Sequence, residues 1–166
     1  MSIKYKMMAA AVLCCAAMPF VALADDCDAV KTAIRASWKT PHRFTTGVSI
    51  DGKPAPSQGE TVFTGTATYS RVDGGAWKKK AFSLEKTLAE SYATLANARC
   101  RKILEEDVNG IKTAIYSIQM ETGQKRSVWV SQRDGWILQD MVGSGKVVVH
   151  WSFRYDGDNR PPAGAR

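Results

Sequence analysis

The last third of the chain carries four strand-like segments in succession, and each turn between them contains glycine. Glycine accepts the positive φ angles that tight hairpin turns require. The segments cover residues 111–121, 125–132, 136–142 and 146–155. In the last of them, large apolar residues from Val147 to Tyr155 alternate with mostly polar ones, which is typical of a strand with one buried face. This pattern predicts an antiparallel meander.

Three further strands are predicted earlier in the chain, at residues 42–50, 60–71 and 76–82, together with two helices. The first helix follows Asp25 or Asp26 as a cap and ends before Pro41, because proline cannot continue a helix. The second follows Ser83 and runs to about Arg99, with its apolar residues on one side. About seven strands and two helices predict an α+β fold, in which a curved antiparallel sheet carries both helices on one face.

The two ends of the chain differ from the segment between them. Lys4 and Lys6 precede an uncharged stretch, Met7 to Ala24, that ends in the small-residue pattern Ala22-Leu23-Ala24. We interpret residues 1–24 as a cleaved secretory signal of the Sec type, with a membrane anchor as the alternative. Neither Cys14 nor Cys15 has the preceding small residue that acylation needs, so we expect a soluble periplasmic product. Residues 25–155 form one domain, and 156–166 are predicted to be a disordered tail.

Cleavage changes both the cysteine count and the charge. Only Cys27 and Cys100 remain, and in an exported chain two cysteines most often form one disulfide. The formal charge falls from +7 to +5, because Lys4 and Lys6 leave with the signal. That charge favours an anionic envelope surface or protein as partner. No stacking-aromatic motif accompanies Lys78-Lys79-Lys80, so we expect no nucleic-acid binding and interpret this run as an edge strand protected by lysines.

Catalytic and metal-binding patterns are scarce in the sequence. His42 and His150 have no neighbouring cluster of ligand residues, so no metal site or cofactor is predicted and both are interpreted as surface histidines. Gly143-Ser144-Gly145 is a hairpin turn by its flanks, and the acidic run 105–107 is interpreted as a solvated turn. The sequence therefore favours a protein that is not an enzyme.

Large apolar residues on the strands point to binding instead. A strongly curved sheet with two small helices leaves part of its concave face uncovered, and apolar side chains there can line a groove for an apolar ligand. Face parity and size select the candidate lining residues Phe44, Val48, Phe63, Leu88, Tyr92, Tyr116, Trp129 and Trp151.

The order of these features resembles a known family. Asp73-Gly74-Gly75-Ala76-Trp77 forms a hairpin before the second helix, Val108 to Thr113 begins a strand, and Val128 to Gly135 forms a further hairpin. This arrangement resembles the periplasmic LolA-like lipoprotein-sorting proteins, although the proline usual after the second Asp-Gly turn is replaced by Trp136. The resemblance implies an unclosed half-barrel with a helical lid and a lipid or lipoprotein acyl chain as partner. It assigns no functional residue, and a docking protein of the envelope remains the alternative function.

Overall fold

The computed structural model describes residues 26–157 and 159–165, so the predicted signal lies outside the described residues. Two helices and nine strands occur in this part of the chain. They are α1 (Cys27–Lys39), β1 (His42–Ile50), β2 (Lys53–Phe63), β3 (Ala67–Val72), β4 (Lys78–Ala81), α2 (Leu84–Ala93), β5 (Arg99–Val108), β6 (Ile111–Gln119), β7 (Lys125–Ser131), β8 (Ile137–Ser144) and β9 (Val147–Arg154).

All nine strands form one antiparallel sheet in the order β4-β3-β2-β1-β9-β8-β7-β6-β5. Strands β1 and β9, the first and last of the described strands, pair in the middle of the sheet, and β4 and β5 are its two edges. The predicted α+β fold with an antiparallel sheet is thus confirmed. The strand count rises from seven to nine because a short turn at residues 64–66 divides the segment 60–71, and because β5 was not predicted.

Strand β5 contains the acidic run 105–107 that the sequence predicts as a turn. It is exposed along most of its length because it lies at the sheet edge, so its residues show no alternation of apolar and polar side chains. Strand β2 is likewise longer than predicted and begins at Lys53, although it contains Pro54 and Pro56. Both prolines precede Gly59, where pairing with β3 starts, so they occupy an edge-like stretch that proline tolerates.

The helices begin close to the predicted positions. In α2 the hydroxyl of Ser83 accepts a hydrogen bond from the backbone N–H of Lys86 at 3.3 Å, which confirms the predicted cap. The helix ends at Ala93, earlier than predicted. At the start of α1, Asp26 occupies the cap position, but its carboxylate accepts from the backbone N–H of Lys102 at 2.6 Å instead of capping the helix.

The predicted disulfide between Cys27 and Cys100 is present, with 4.9 Å between the two Cα atoms. It joins the first residue of α1 to strand β5, not to the end of α2 as expected. Around it lies the main core, in which buried residues of both helices meet Ile118, Val128 and Ile137 of the sheet. Both helices therefore cover the same face of the sheet.

The segment after β9 makes specific contacts, although the sequence predicts a disordered tail at residues 156–166. The side-chain amide of Asn159 donates to the carbonyl of Pro41 at 2.9 Å, and Ala165 packs against a small buried cluster that contains Val62 and Tyr69. Asn159 and Ala165 therefore lie against the domain.

Candidate functional site

The face of the sheet that is turned toward the helices, here called the helix-facing face, is apolar along the central strands. Phe44 of β1 lies opposite Phe153 of β9, and their rings are 5.2 Å apart. Trp151 lies two residues before Phe153 in β9, on the same face. Phe153 also packs against the core formed with the helices, which identifies the face.

A cavity of about 360 Å³ lies between this face and the two helices. It is open to solvent, and its walls come from α1, α2 and strands β1, β7, β8 and β9. The large apolar residues of the wall are Ile34, Trp38, Phe44, Ile137, Trp151 and Phe153. Met120 and Val142 complete its apolar part, and its polar residues are Ser37, Ser91, Thr94, Gln124, Arg126 and Asp140. Such a cavity can enclose an apolar chain and hydrogen-bond one polar group.

Arg126 and Asp140 form a bidentate ion pair in the wall of the cavity. The Nε and Nη2 atoms of Arg126 donate to the two carboxylate oxygens of Asp140 at 2.8 and 2.5 Å. Their side chains are 15% and 10% exposed. The pair is therefore a partly buried, electrically neutral unit whose direct cross-strand neighbours are apolar.

His42 lies in an aromatic cluster beside the cavity, so the prediction of a surface histidine is wrong for this residue. It is fully buried at the start of β1, and its ring centre is 5.2 Å from that of Trp38 and 5.6 Å from that of Phe153. Nδ1 lies 2.8 Å from the carbonyl oxygen of Thr40. Burial lowers the pKa of His42, and the hydrogen bond with Thr40 opposes that only in part. A neutral ring fits this apolar setting.

The structure brings some of the predicted lining residues together. Phe44 and Trp151 line the cavity, while Phe63 belongs to the adjoining aromatic cluster. Leu88 is buried in the core beneath the helices, and Tyr92 and Tyr116 pack against that core. Val48 lies opposite Val149, on the helix-facing face beyond the cavity.

Trp129 does not share this face. It follows Val128, which lies opposite Tyr116 on the helix-facing face, so the side chain of Trp129 points to the opposite side of the sheet. There its indole N–H donates to the carboxylate of Glu106. The parity assigned to Trp129 from the sequence is therefore corrected.

Several cavity residues were not identified from the sequence. Trp38 lies on the apolar side of α1, but nothing in the sequence shows that this side borders an open cavity. Arg126 and Asp140 are fourteen positions apart, and their contact depends on the register of β7 and β8. The available signal was Asp140, the one charged residue of the predicted strand 136–142, since a charged residue on a buried face needs a partner.

Two other clefts lie on the opposite side of the sheet. The larger, of about 790 Å³, is lined by Arg133, Asp134, Arg154 and Asp156 together with apolar residues. The other, of about 410 Å³, contains Glu60, which accepts from Arg71 at 2.6 Å. Both are wide surface hollows with mixed charges, so the helix-covered cavity is the better candidate for a specific ligand.

Within residues 26–157 and 159–165, no cluster of three or more His, Cys, Asp or Glu side chains could hold a metal ion. Neither of the two helices described is long and apolar enough to cross a membrane.

The fold and the cavity together define an open antiparallel half-barrel with a helical cover. The same fold occurs in the crystal structure of MucB, which matches with a TM-score of 0.54 at 14% identity over 86% of this chain and 65% of MucB. In the MucA/MucB complex of Pseudomonas aeruginosa the match has a TM-score of 0.53 at 13% identity, over 86% of this chain and 63% of the other. The chain thus spans less than two thirds of these MucB chains.

A LolA superfamily protein from Nitrosomonas europaea also matches, over 78% of this chain and 91% of that one, with 8% identity and a TM-score of 0.36. This last likeness is too distant to support a conclusion of its own. No family model matches the sequence, and no curated protein matches it. The half-barrel fold that the resemblance implies is confirmed.

Proposed function

We propose that the chain is an exported binding protein without enzymatic activity that holds a lipid or other acylated ligand in the helix-covered cavity. The observation that carries the proposal is the cavity itself, about 360 Å³ with walls of tryptophan, phenylalanine and isoleucine. Its volume lies within the range of about 300 to 1,000 Å³ that is usual for small-molecule sites. Each methylene group that such walls remove from water contributes about 0.8 kcal/mol before the cost of association.

Export to the periplasm is part of the proposal. It rests on the basic, apolar and small-residue pattern of residues 1–24, and the disulfide between Cys27 and Cys100 supports it. Disulfides persist in oxidising compartments and are rare in the cytosol. Cleavage after Ala24 would leave Asp25 as the first residue of the mature protein, which N-terminal sequencing of the secreted chain tests directly.

Tryptophan fluorescence tests the binding function. A brominated acyl chain in the cavity should quench Trp38 and Trp151, which line it, and leave Trp129 on the opposite face unaffected. The decisive comparison uses two variants of the purified mature protein. One retains Trp151 and the other retains Trp129, with all remaining tryptophans replaced by phenylalanine. Equal quenching in both variants, or none in either, contradicts the proposal.

A steric block provides an independent test with a matched control. Val142 lines the cavity, whereas its neighbour Met141 points to the opposite face and is 36% exposed. Val142→Trp should abolish binding of the acyl ligand, and Met141→Trp should leave it unchanged. Native mass spectrometry of both variants purified from the envelope then shows whether a co-purified lipid is lost only from the first.

A second candidate function is docking onto an envelope partner through the β4 edge. All four residues of β4 are exposed, including Lys78, Lys79 and Lys80, and the outer side of this strand pairs with no described strand. MucB, which shares the fold, has been crystallised in complex with MucA(peri). Replacing the three lysines by glutamate should abolish association with an anionic envelope fraction, and added salt should weaken it. Binding that resists both changes contradicts this candidate.

A further inference from the structure

The ion pair in the cavity wall has apolar neighbours on the adjacent strands of the sheet. Arg126 lies opposite Ile118 on one neighbouring strand and opposite Val142 on the other. Asp140 lies opposite Val128 and Trp151 in the same manner. Ile118 and Val128 are completely buried. In such surroundings charges are poorly screened, so an unbalanced charge near this pair has a large effect on the free energy of binding.

The pair is balanced internally. Two of the guanidinium donors of Arg126 are directed to the two oxygens of Asp140, so the carboxylate neutralises the cation at close range. A second carboxylate entering beside Arg126 would meet a positive charge that is already compensated and a negative charge directly behind it. It would also lose its hydration. The wall therefore offers no net attraction to an anionic headgroup.

An uncharged polar group meets no such obstacle. Ser91, Thr94 and Gln124 line the same cavity and carry neutral hydroxyl and amide groups. The hydroxyl of Thr94 donates to the backbone carbonyl of Ser91 at 2.7 Å, which leaves its oxygen able to accept. An ester, amide or glycerol group can exchange hydrogen bonds with these side chains while its acyl chain occupies the aromatic part of the cavity.

We infer that the Arg126–Asp140 pair makes the cavity selective for uncharged acyl groups, linked as esters or amides, over free fatty acid anions and over cationic amphiphiles. This inference rests on the proposed binding function and names the chemical class of its ligand. Arg126 and Asp140 are then specificity-determining residues, which act by neutralising each other and not by gripping a charged headgroup.

Three ligands with the same ten-carbon chain test the selectivity, namely 1-decanoylglycerol, decanoate and decylammonium. At pH 7.5, calorimetry on the wild-type mature protein should show that 1-decanoylglycerol binds at least about tenfold more tightly than either ion. Asp140→Asn removes the compensating carboxylate, so decanoate should gain at least about tenfold in affinity and 1-decanoylglycerol should change little. Arg126→Gln should give the reciprocal gain for decylammonium.

The control is Asp51→Asn, which removes a carboxylate from an exposed ion pair with Lys146 at a hairpin remote from the cavity, and it should leave all three affinities unchanged. Each single cavity variant leaves a partly buried charge without its partner and is expected to lose stability. If one of them does not fold, the reciprocal variant tests the same inversion. The wild-type preference for the uncharged ligand requires no variant.

The outcomes separate the two levels of the proposal. If none of the three ligands binds the wild-type protein, the proposed function fails and the inference fails with it. If decanoate or decylammonium binds the wild-type protein as tightly as 1-decanoylglycerol, the inference is overturned while the binding function stands. Folded Asp140→Asn protein that gains no affinity for decanoate overturns it as well. The expected inversion of charge preference in the two variants supports it.

Discussion

The hydroxyl oxygen of Ser37 accepts a hydrogen bond from the backbone N–H of Ile137 at 2.9 Å, across one hundred positions of sequence. Ser37 lies in the last turns of α1, and Ile137 begins β8 beside an irregularity in its pairing with β7. The carbonyl of the same Ile137 accepts from the hydroxyl of Tyr155 at 2.9 Å. Both polar groups of this backbone unit thus have side-chain partners, and the contact fixes α1 above the cavity.

Ser37→Ala should lower the free energy of unfolding by about 1 to 3 kcal/mol, because the buried N–H of Ile137 loses its acceptor. Urea denaturation followed by circular dichroism measures the change. Ser144→Ala, at an exposed hairpin position, should alter stability by less than about 0.5 kcal/mol. A Ser37→Ala protein as stable as wild type would show that water or a small shift replaces the lost acceptor.

Loss of the disulfide should cost about 2 to 5 kcal/mol, since the bridge closes a loop between residues separated by 73 positions. The double variant Cys27→Ala/Cys100→Ala should unfold at lower urea concentration, and the wild-type protein should show a similar shift after reduction. The reductant should have no effect on the double variant. Mass spectrometry verifies that the disulfide has been reduced. If the urea midpoint of the reduced wild-type protein is then unchanged, the prediction is contradicted.

His42 should make the fold sensitive to acid. Burial lowers its pKa in the folded state below the ordinary value of 6.5, so the unfolded chain binds a proton more readily. Its stabilising effect is fully present above pH 6.5 and is lost as the pH falls below that value, at up to about 1.4 kcal/mol per pH unit. Burial also raises the pKa of the neighbouring Tyr155, so that residue stays neutral throughout this range.

Urea midpoints measured between pH 5 and pH 8 test this dependence. His42→Phe should flatten the curve between pH 5 and pH 6.5, because phenylalanine suits the aromatic surroundings and does not titrate. His150→Gln should retain the wild-type slope, since it leaves His42 in place. If His42→Phe keeps the same slope as wild type, the acid sensitivity has another origin.

The parts of the fold that were predicted correctly are those in which one strand face is buried and the other is solvated. Strand β9 is the clearest case, because apolar residues from Val147 to Phe153 alternate with mostly polar ones. Strand β5 was missed because it is an exposed edge of the sheet. Neither of its faces is buried along most of its length, so its sequence lacks the alternation of apolar and polar residues that predicts a strand. The burial of His42 was missed because Pro41, directly before it, indicates a loop. The aromatic residues that bury His42 belong to α1, β2 and β9, which are distant from it in sequence or separated from it by a turn.

The candidate site was harder to predict than the fold. Odd and even positions of a strand place their side chains on opposite faces of the sheet. When both faces carry large residues, this alternation does not show which face the helices cover. In β7, Val128 and Val130 alternate with Trp129, and size favoured the wrong face. The Arg126–Asp140 pair depends on the register of two strands, and a slip of one residue would send these side chains to opposite faces.

Asp26 should protect the edge of the sheet. Its carboxylate accepts from the backbone N–H of Lys102 at 2.6 Å, and its own N–H donates to the carbonyl of Cys100 at 3.3 Å, so it occupies edge groups of β5 that another strand could otherwise use. Asp26→Ala should speed amide hydrogen exchange at Lys102 by about tenfold or more, as about 1.4 kcal/mol of protection is lost. Asp26→Asn, which keeps an oxygen acceptor, should restore part of the protection.

The matched control is Asp28→Ala, because Asp28 lies on the same helix and forms an exposed ion pair with Lys31. It should leave the exchange rate at Lys102 unchanged, and so separate the edge contact from a general loosening of α1. Exchange read by nuclear magnetic resonance at single amides distinguishes the two, since loosening of the helix would also expose the amides near Val30. Unchanged protection of Lys102 in Asp26→Ala would mean that the disulfide alone holds the start of α1 against β5.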